Sequence, residues 1–300
     1  MTVRAGSATT RQANLRRTVN VRHLRDADVV RPLLEAAGPH AAYALAYLDP
    51  RVFRLAQFYD ISAGDRHALV MHARGGLGPS TLTLGDAALA GRLLELHPGP
   101  RQAFFTCETN QTEAVLVTHN LWRPQAMLRM QLDPQAFAPP ADLPEVRRLT
   151  SADSNELNRL YEEEGTRHLG RQIVEGVYFG AFHRSRLVAA AGTHIYSRRE
   201  GVGVIGNVYT HTDFRSHGLG TAVTAAVAAN LLDACDLIVL NVDPANRTAR
   251  HIYEQLGFKE AGRLVEAMAT RRSAHTPMPF LRRLVARFRA EAPHTEAIEL

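Results

Sequence analysis

Apolar and polar positions along the chain change period several times, and the changes fall in nearly the same order twice. From residue 20, "NVRHL" reads as a strand, followed by a helix over Asp26 to Ala37. "VFRLAQFY" and "HALVMHA" read as strands joined through Gly64-Asp65, and "STLTLG" as another. Asp86 to His97 has helical spacing, "QAFFTC" strand spacing, Glu108 to Asn120 helical spacing, and "QAMLRMQL" closes the unit as a strand. The stretch from Phe137 to Val146, "FAPPADLPEV", carries three prolines and neither period, so it reads as a linker.

Beyond the linker the order returns. "EVRRL" is a short strand, and a helix runs from Ser151 to Glu164, capped by Ser151 or Asp153. "GVYFGAF", "RLVAAAGTHIY" and "VGVIGNVYT" are strands, and a helix spans Gly218 to Leu232. "LIVLNV" is apolar throughout, as a central strand buried on both faces should be. "NRTARHIYEQLG" is a helix ended by Gly257, and "FKEAGRLVEAMAT" reads as a closing hairpin. Two copies of one α/β unit with a mixed sheet account for the length. The expected organisation is a tail over residues 1–18, a first domain over 19–136, a linker at 137–144, a second domain over 145–271 and a tail over 272–300.

Composition narrows the choices. With 45% hydrophobic and 22% charged residues, the chain can bury an ordinary core. No apolar run approaches the roughly 20 residues that span a bilayer, so no membrane span is expected, and the chain reads as cytoplasmic. The first 20 residues are rich in Arg, Ser and Thr and lack acids; they read as a frayed tail, with a faint likeness to a transit peptide. Cys107 and Cys235 stand far apart, without a CxxC, and read as buried thiols; no metal site is expected. Lys259 is the only lysine, which excludes a Walker loop and disfavours a Schiff base. The net charge of +5 suits an anionic partner. The arginines are scattered, with no basic face interleaved with aromatics, so nucleic acid is not expected. In the last segment, Leu281, Leu284, Val285 and Phe288 share one helical face, which suits packing on its own domain, a dimer mate or a membrane.

One loop carries specific chemistry. "DFRSHGLGT", Asp213 to Thr221, lies between an apolar strand and an Ala-rich helix. The first turn of a helix leaves N–H groups unpaired, and its dipole favours an anion. Gly218 and Gly220 let oxygens approach without a Cβ in the way, and Arg215 adds a charged donor. The spacing is not that of a dinucleotide loop: no third glycine follows, and the next strand reaches Asn241 rather than an acid.

Arg215, Ser216, His217, Gly218, Leu219, Gly220 and Thr221, together with Asn246, Ala249, Tyr253 and the ending Leu256-Gly257-Phe258, resemble the GNAT superfamily of acyl-CoA-dependent N-acyltransferases. The resemblance covers about Glu145 to Thr270, with the first half a degenerate copy. It implies two GNAT-like domains in tandem, acetyl-CoA as co-substrate with its pyrophosphate on the glycine loop, and acetyl transfer to a primary amine on a small molecule or peptide. A non-catalytic acyl-CoA-binding module is the alternative.

The resemblance further implies that Tyr253 stands beside the thioester sulfur as general acid; helix spacing alone also allows a buried aromatic there. It implies that backbone groups of Val208, Tyr209 and Thr210 pair with pantetheine like an added strand. Asn246 suits a helix cap, a pantetheine contact, or both, and Asn241 completes the expected cofactor-binding set. For the base, His194, Asn207 and His211 are candidates, with Glu162, Glu163 and Glu164 near the acceptor side. In the first half "RGGLG", Arg74 to Gly78, reads as a hairpin turn. At the matching position Asp86 would cap the helix with a negative charge and no arginine at hand, and Leu116 or Val117 replaces the tyrosine. One coenzyme A per chain follows, with a homodimer possible.

Overall fold

The computed structural model describes residues 19–75, 78–162, 170–272 and 296–298. The N-terminal 18 residues, Glu163, Glu164 and the apolar face of Leu281, Leu284, Val285 and Phe288 lie outside them.

The first half contains β1 (Val19–Leu24), α1 (Ala27–Ala36), a 3-10 turn (Gly38–Ala41), α2 (Ala42–Ala46), β2 (Ala56–Ala63), β3 (Arg66–Gly75), β4 (Gly78–Gly85), α3 (Ala87–Leu96), β5 (Gln102–Glu108), α4 (Thr112–Thr118) and β6 (His119–Leu132). The second contains β7 (Arg147–Arg148), α5 (Ser154–Glu162), α6 (Gly170–Glu175), β8 (Phe179–His183), β9 (Arg186–Ser197), β10 (Val202–Thr210), α7 (Leu219–Leu232), β11 (Leu237–Val242), α8 (Arg247–Gln255) and β12 (Phe258–Arg271). A last strand, β13 (Glu296–Ile298), pairs with β1. Most expected elements are present, and Gly75 pairs with Gly78 where the hairpin at "RGGLG" is expected; residues 76 and 77 lie outside the described residues.

Four expectations need correction. The helix expected over Glu108 to Asn120 ends at Thr118, and β6 begins at His119. β6 pairs antiparallel with β12 along most of its length, and Pro124 would in any case disfavour helix there. "VFRLAQFY" opens with a 3-10 turn at Phe53–Leu55 before β2. The cap of the α5 region is Thr150, not Ser151 or Asp153; Asp153 closes a capping box by accepting from the Thr150 N–H at 2.8 Å. The expected closing hairpin is a single strand, β12. It bulges at Gly262, where a Cβ would lie 2.3 Å from the His40 ring.

That strand organises the molecule. The described strands form one sheet in the order β13-β1-β2-β3-β4-β5-β12-β6-β11-β10-β9-β8-β7. β12, from the second half, inserts between β5 and β6. β6, from the first half, lies against β11. The two halves thus exchange their last strands, and the ranges 19–136 and 145–271 describe chain order rather than separate ladders.

Helices cover both faces. Ile238, Leu240 and Val242 of β11 pack on α7 and α8 with Leu128 and Met130 of β6. On the other face, Val202, Val204 and Val239 pack with α1, α2 and Leu69, Met71 and Leu82 of the first half. Period-2 alternation sends neighbouring residues to these two cores. The first half therefore supplies helices to the sheet face beside β10 and β11. Cys107 and Cys235 are both buried.

Candidate functional site

At the start of α7 the backbone is arranged for an anion. Gly218 is the N-cap at φ +73°, a left-handed conformation suited to glycine, and no side chain caps the helix. The first intrahelical bond runs from Ala222 N to Gly218 O at 2.9 Å, so the N–H groups of Leu219, Gly220 and Thr221 precede the ladder. Arg215 is exposed, and its Nε donates to Thr210 O at 3.2 Å, which holds the guanidinium beside β10. Ser216 takes a positive φ, and the His217 ring is tied to Arg215 O at 2.7 Å. A Cβ on Gly220 would sit 3.5 Å from Thr210 Oγ1, in the space between the helix start and the strand.

β10 and β11 part next to this loop. Their parallel pairing runs from Val202↔Leu237 to Ile205↔Leu240 and stops. A bulge then takes Asn207 and Val208 out of register with β9, and pairing resumes at Tyr209↔Ala190. Asn207 sits at φ +53°, which bends the strand, and the Tyr161 hydroxyl donates to its carbonyl. Past the bulge, β10 keeps a partner only in β9 among the described strands, which leaves its edge toward β11 for an extended ligand. Val208 leans on the α7–α8 core, whereas Tyr209 is buried against Tyr161 on the opposite face.

α8 brings Tyr253 to the same core. Asn246 caps this helix by accepting from Ala249 N at 3.0 Å, so its capping role is settled locally. Tyr253 is buried among Val242, Leu256 and Phe258, and burial alone pushes its hydroxyl up to about 12. The phenol therefore keeps its proton at neutral pH.

On the other face a polar network joins the two halves. Asn207 Nδ2 donates to the Tyr178 hydroxyl at 3.0 Å, which fixes the amide orientation. Asn207 Oδ1 then faces His194 Nε2 at 3.1 Å; the oxygen can only accept, so Nε2 carries the hydrogen. His194 Nδ1 accordingly accepts from the Tyr43 hydroxyl of α2 at 2.9 Å. The Tyr43 ring lies 5.5 Å from the Arg129 guanidinium. Arg129 is fully buried, donates to Pro39 O at 2.9 Å, and stands opposite Asn241 in the β6–β11 register. Asn241 Nδ2 donates to Glu266 Oε1 of β12 at 2.6 Å. Burial raises the Glu266 carboxyl, and burial likewise lowers Arg129.

This arrangement redistributes the expected residues. Arg215, the glycine loop, Val208 and Thr210 gather at one mouth. His194, Asn207 and Asn241 line the opposite face. His211 caps the following 3-10 turn, accepting from Asp213 N at 3.2 Å.

The comparisons with known proteins agree with the architecture. A family described as FR47-like protein matches residues 178–270. A solved Drosophila protein superposes with a TM-score of 0.59 at 16% identity, covering 82% of this chain and 98% of its own. A protein from Novosphingobium aromaticivorans described as an acetyltransferase of the GNAT family gives 0.50 at 17%, covering 68% and 89%. A GCN5-related N-acetyltransferase from Sphaerobacter thermophilus gives 0.50 at 16%, covering 84% and 95%. The fold is that of the GNAT superfamily, built in tandem. No curated protein matches the sequence.

The first GNAT copy has its gap stitched shut. β4 and β5 pair in parallel only from Ser80↔Phe104 to Leu82↔Thr106. Where they part, buried Gln111 accepts from the Thr83 hydroxyl at 2.6 Å and donates to Gly85 O at 2.8 Å. Asp86 caps α3 through Leu89 N at 3.0 Å, as expected. An arginine is at hand there, contrary to expectation: Arg66 clamps Asp86 with contacts of 2.8 and 2.7 Å, which holds its carboxyl down at about 2. Leu116 and Val117 are exposed, and Val115 is the buried residue of α4.

Sequence reasoning missed Tyr43, which lies in a stretch given no element, and Arg129 and Glu266, whose strands were expected to stay within their own halves. The one available signal was a lone arginine in the apolar run "QAMLRMQL". Among the described residues, no group of His, Cys, Asp or Glu is placed to hold a metal, and no helix is long and apolar enough to cross a membrane.

Proposed function

We propose that the chain is an N-acyltransferase that moves an acyl group, acetyl in the simplest case, from acyl-CoA to a primary amine on a small molecule or peptide. The observation that carries this reading is the parting of β10 and β11 beside a helix start with no side-chain cap. A chain of phosphate and amide groups fits that shape. The N–H groups of Leu219 to Thr221 and the Arg215 guanidinium suit the pyrophosphate, and the free edge of β10 over Val208 to Thr210 suits the pantetheine amides. When bound, the co-substrate supplies an activated thioester.

The chain's own groups divide the proton work. Tyr253 holds a proton for the departing sulfur. On the acceptor side, the basic nitrogen of His194 already points at Tyr43. An amine proton passed to the Tyr43 oxygen would let the Tyr43 proton move to His194 Nδ1, with Asn207 fixing the ring. In this reading the chain acts in the cytoplasm.

Thiol release from acetyl-CoA over a panel of primary amines tests the reading. Multiple turnovers with one class of amine are expected. Tight coenzyme A binding without release from any acceptor would instead make the chain an acyl-CoA-binding module.

A further inference from the structure

Arg129 is the most deeply buried charge among the described side chains, and its hydrogen bonding is incomplete. One terminal nitrogen, Nη1, donates to Pro39 O. Nε and Nη2, the two donors along the side of the guanidinium, are buried and have no partner. Elsewhere in this protein the same pair of nitrogens holds a carboxylate: Arg51 grips both oxygens of Asp49 and Arg66 both oxygens of Asp86, while Arg22 sets the pair on one oxygen of Asp60. Two parallel donors match two carboxylate oxygens, which makes this edge selective for planar anions. A buried, unpaired guanidinium edge is costly, so its persistence calls for a partner.

Its surroundings say where that partner comes from. Arg129 stands opposite Asn241 on β11, one residue past the last β10–β11 pair. Tyr43 connects it to His194 on the acceptor face. Tyr43, Asn241 and Glu266 are only partly buried, so they form the rim through which a ligand would pass. Glu266 adds the opposite charge at that rim. A positive end inside and a negative group at the lip together match a molecule carrying both a carboxylate and an amine.

We infer that the acceptor is an amino acid, with its carboxylate received by the Nε–Nη2 edge of Arg129. The inference rests on the acyl-transfer reading and deepens it. The same carboxylate chemistry could reside on the acyl chain instead, and the experiment separates the two.

Calorimetric titration of the full chain, saturated with coenzyme A, compares each amino acid with the amine left when its carboxyl group is removed. At least one amino acid should bind about 30-fold or more tightly than its decarboxylated partner, as expected for charged hydrogen bonds. Arg129→Gln should erase that difference while coenzyme A affinity is kept. Should Arg129→Gln not fold, Arg129→Lys keeps the charge without the fork and should reduce the difference about tenfold. Equal binding across every pair overturns the inference, as does a difference that survives in the variants. An Arg129-dependent preference for succinyl-CoA over butyryl-CoA, without one among acceptors, also overturns it. If coenzyme A itself does not bind, the acyl-transfer reading fails, and the same titration on the free chain still decides Arg129.

Discussion

The Thr83 hydroxyl donates to Gln111 Oε1 at 2.6 Å, closing in the first half the gap that stays open beside Asn207 in the second. Gln111 also satisfies the Gly85 carbonyl, so an extended ligand would have to displace several buried hydrogen bonds. Asp86 and Arg66 occupy the start of α3 with a closed ion pair. Calorimetry should therefore find one coenzyme A per chain, and a stoichiometry near two would refute the contrast.

The start of α7 predicts a graded loss of cofactor affinity. Arg215→Ala removes a charged donor and should weaken coenzyme A by about 1–3 kcal/mol. Gly220→Asp places a carboxylate next to Thr210 at the helix start and should weaken it further, because that carboxylate would occupy the positive end of the helix dipole and repel the phosphate. Unchanged affinity in both variants would remove the loop from the site.

Tyr253→Phe keeps the packed ring and deletes the proton. Turnover should fall about 10²–10⁴-fold with coenzyme A affinity nearly unchanged. The burial that raises this hydroxyl to about 12 means that no loss of activity from its ionisation should appear below about pH 10. Wild-type turnover in Tyr253→Phe would leave the residue a role in packing only.

Acid should unfold the first half through His72. Its Nε2 donates to His97 O at 2.9 Å, so Nδ1 accepts from the Thr81 hydroxyl at 3.0 Å, and the neutral ring is fully bonded. Burial brings its value down to about 4. The unfolded chain protonates first, near ~6.5, so the contribution is complete above that pH and is lost as pH falls toward 4. It amounts to about 3 kcal/mol at most. The urea midpoint of the wild type should drop between pH 7 and pH 4.5, and His72→Gln should flatten that drop. An equal drop in both would place the titration elsewhere.

The sequence by itself determined whatever depends on neighbours along the chain. The loop from Arg215 to Thr221 has its shape because Gly218 alone accepts φ +73° cheaply and because a helix must begin after it. The Asn246 cap and the burial of Tyr253 follow from spacing on one short helix. Alternation placed β3, β4, β9 and β10, and the apolar β11 announced a central strand. Tertiary structure decided what depends on partners distant in sequence. "FKEAGRLVEAMAT" reads as a hairpin along the chain, yet β5 and β6 flank it on both sides and hold it as one strand. That exchange brings Arg129 of the first half beside Asn241, and Glu266 reaches Asn241 from β12, one strand further along the sheet. The packing of α2 on the sheet face beside β9 and β10 likewise brings Tyr43 to His194, 151 residues away. A local period records which face a side chain takes, but not which strand will lie beside it, because pairing energy is gained only once the whole sheet has assembled.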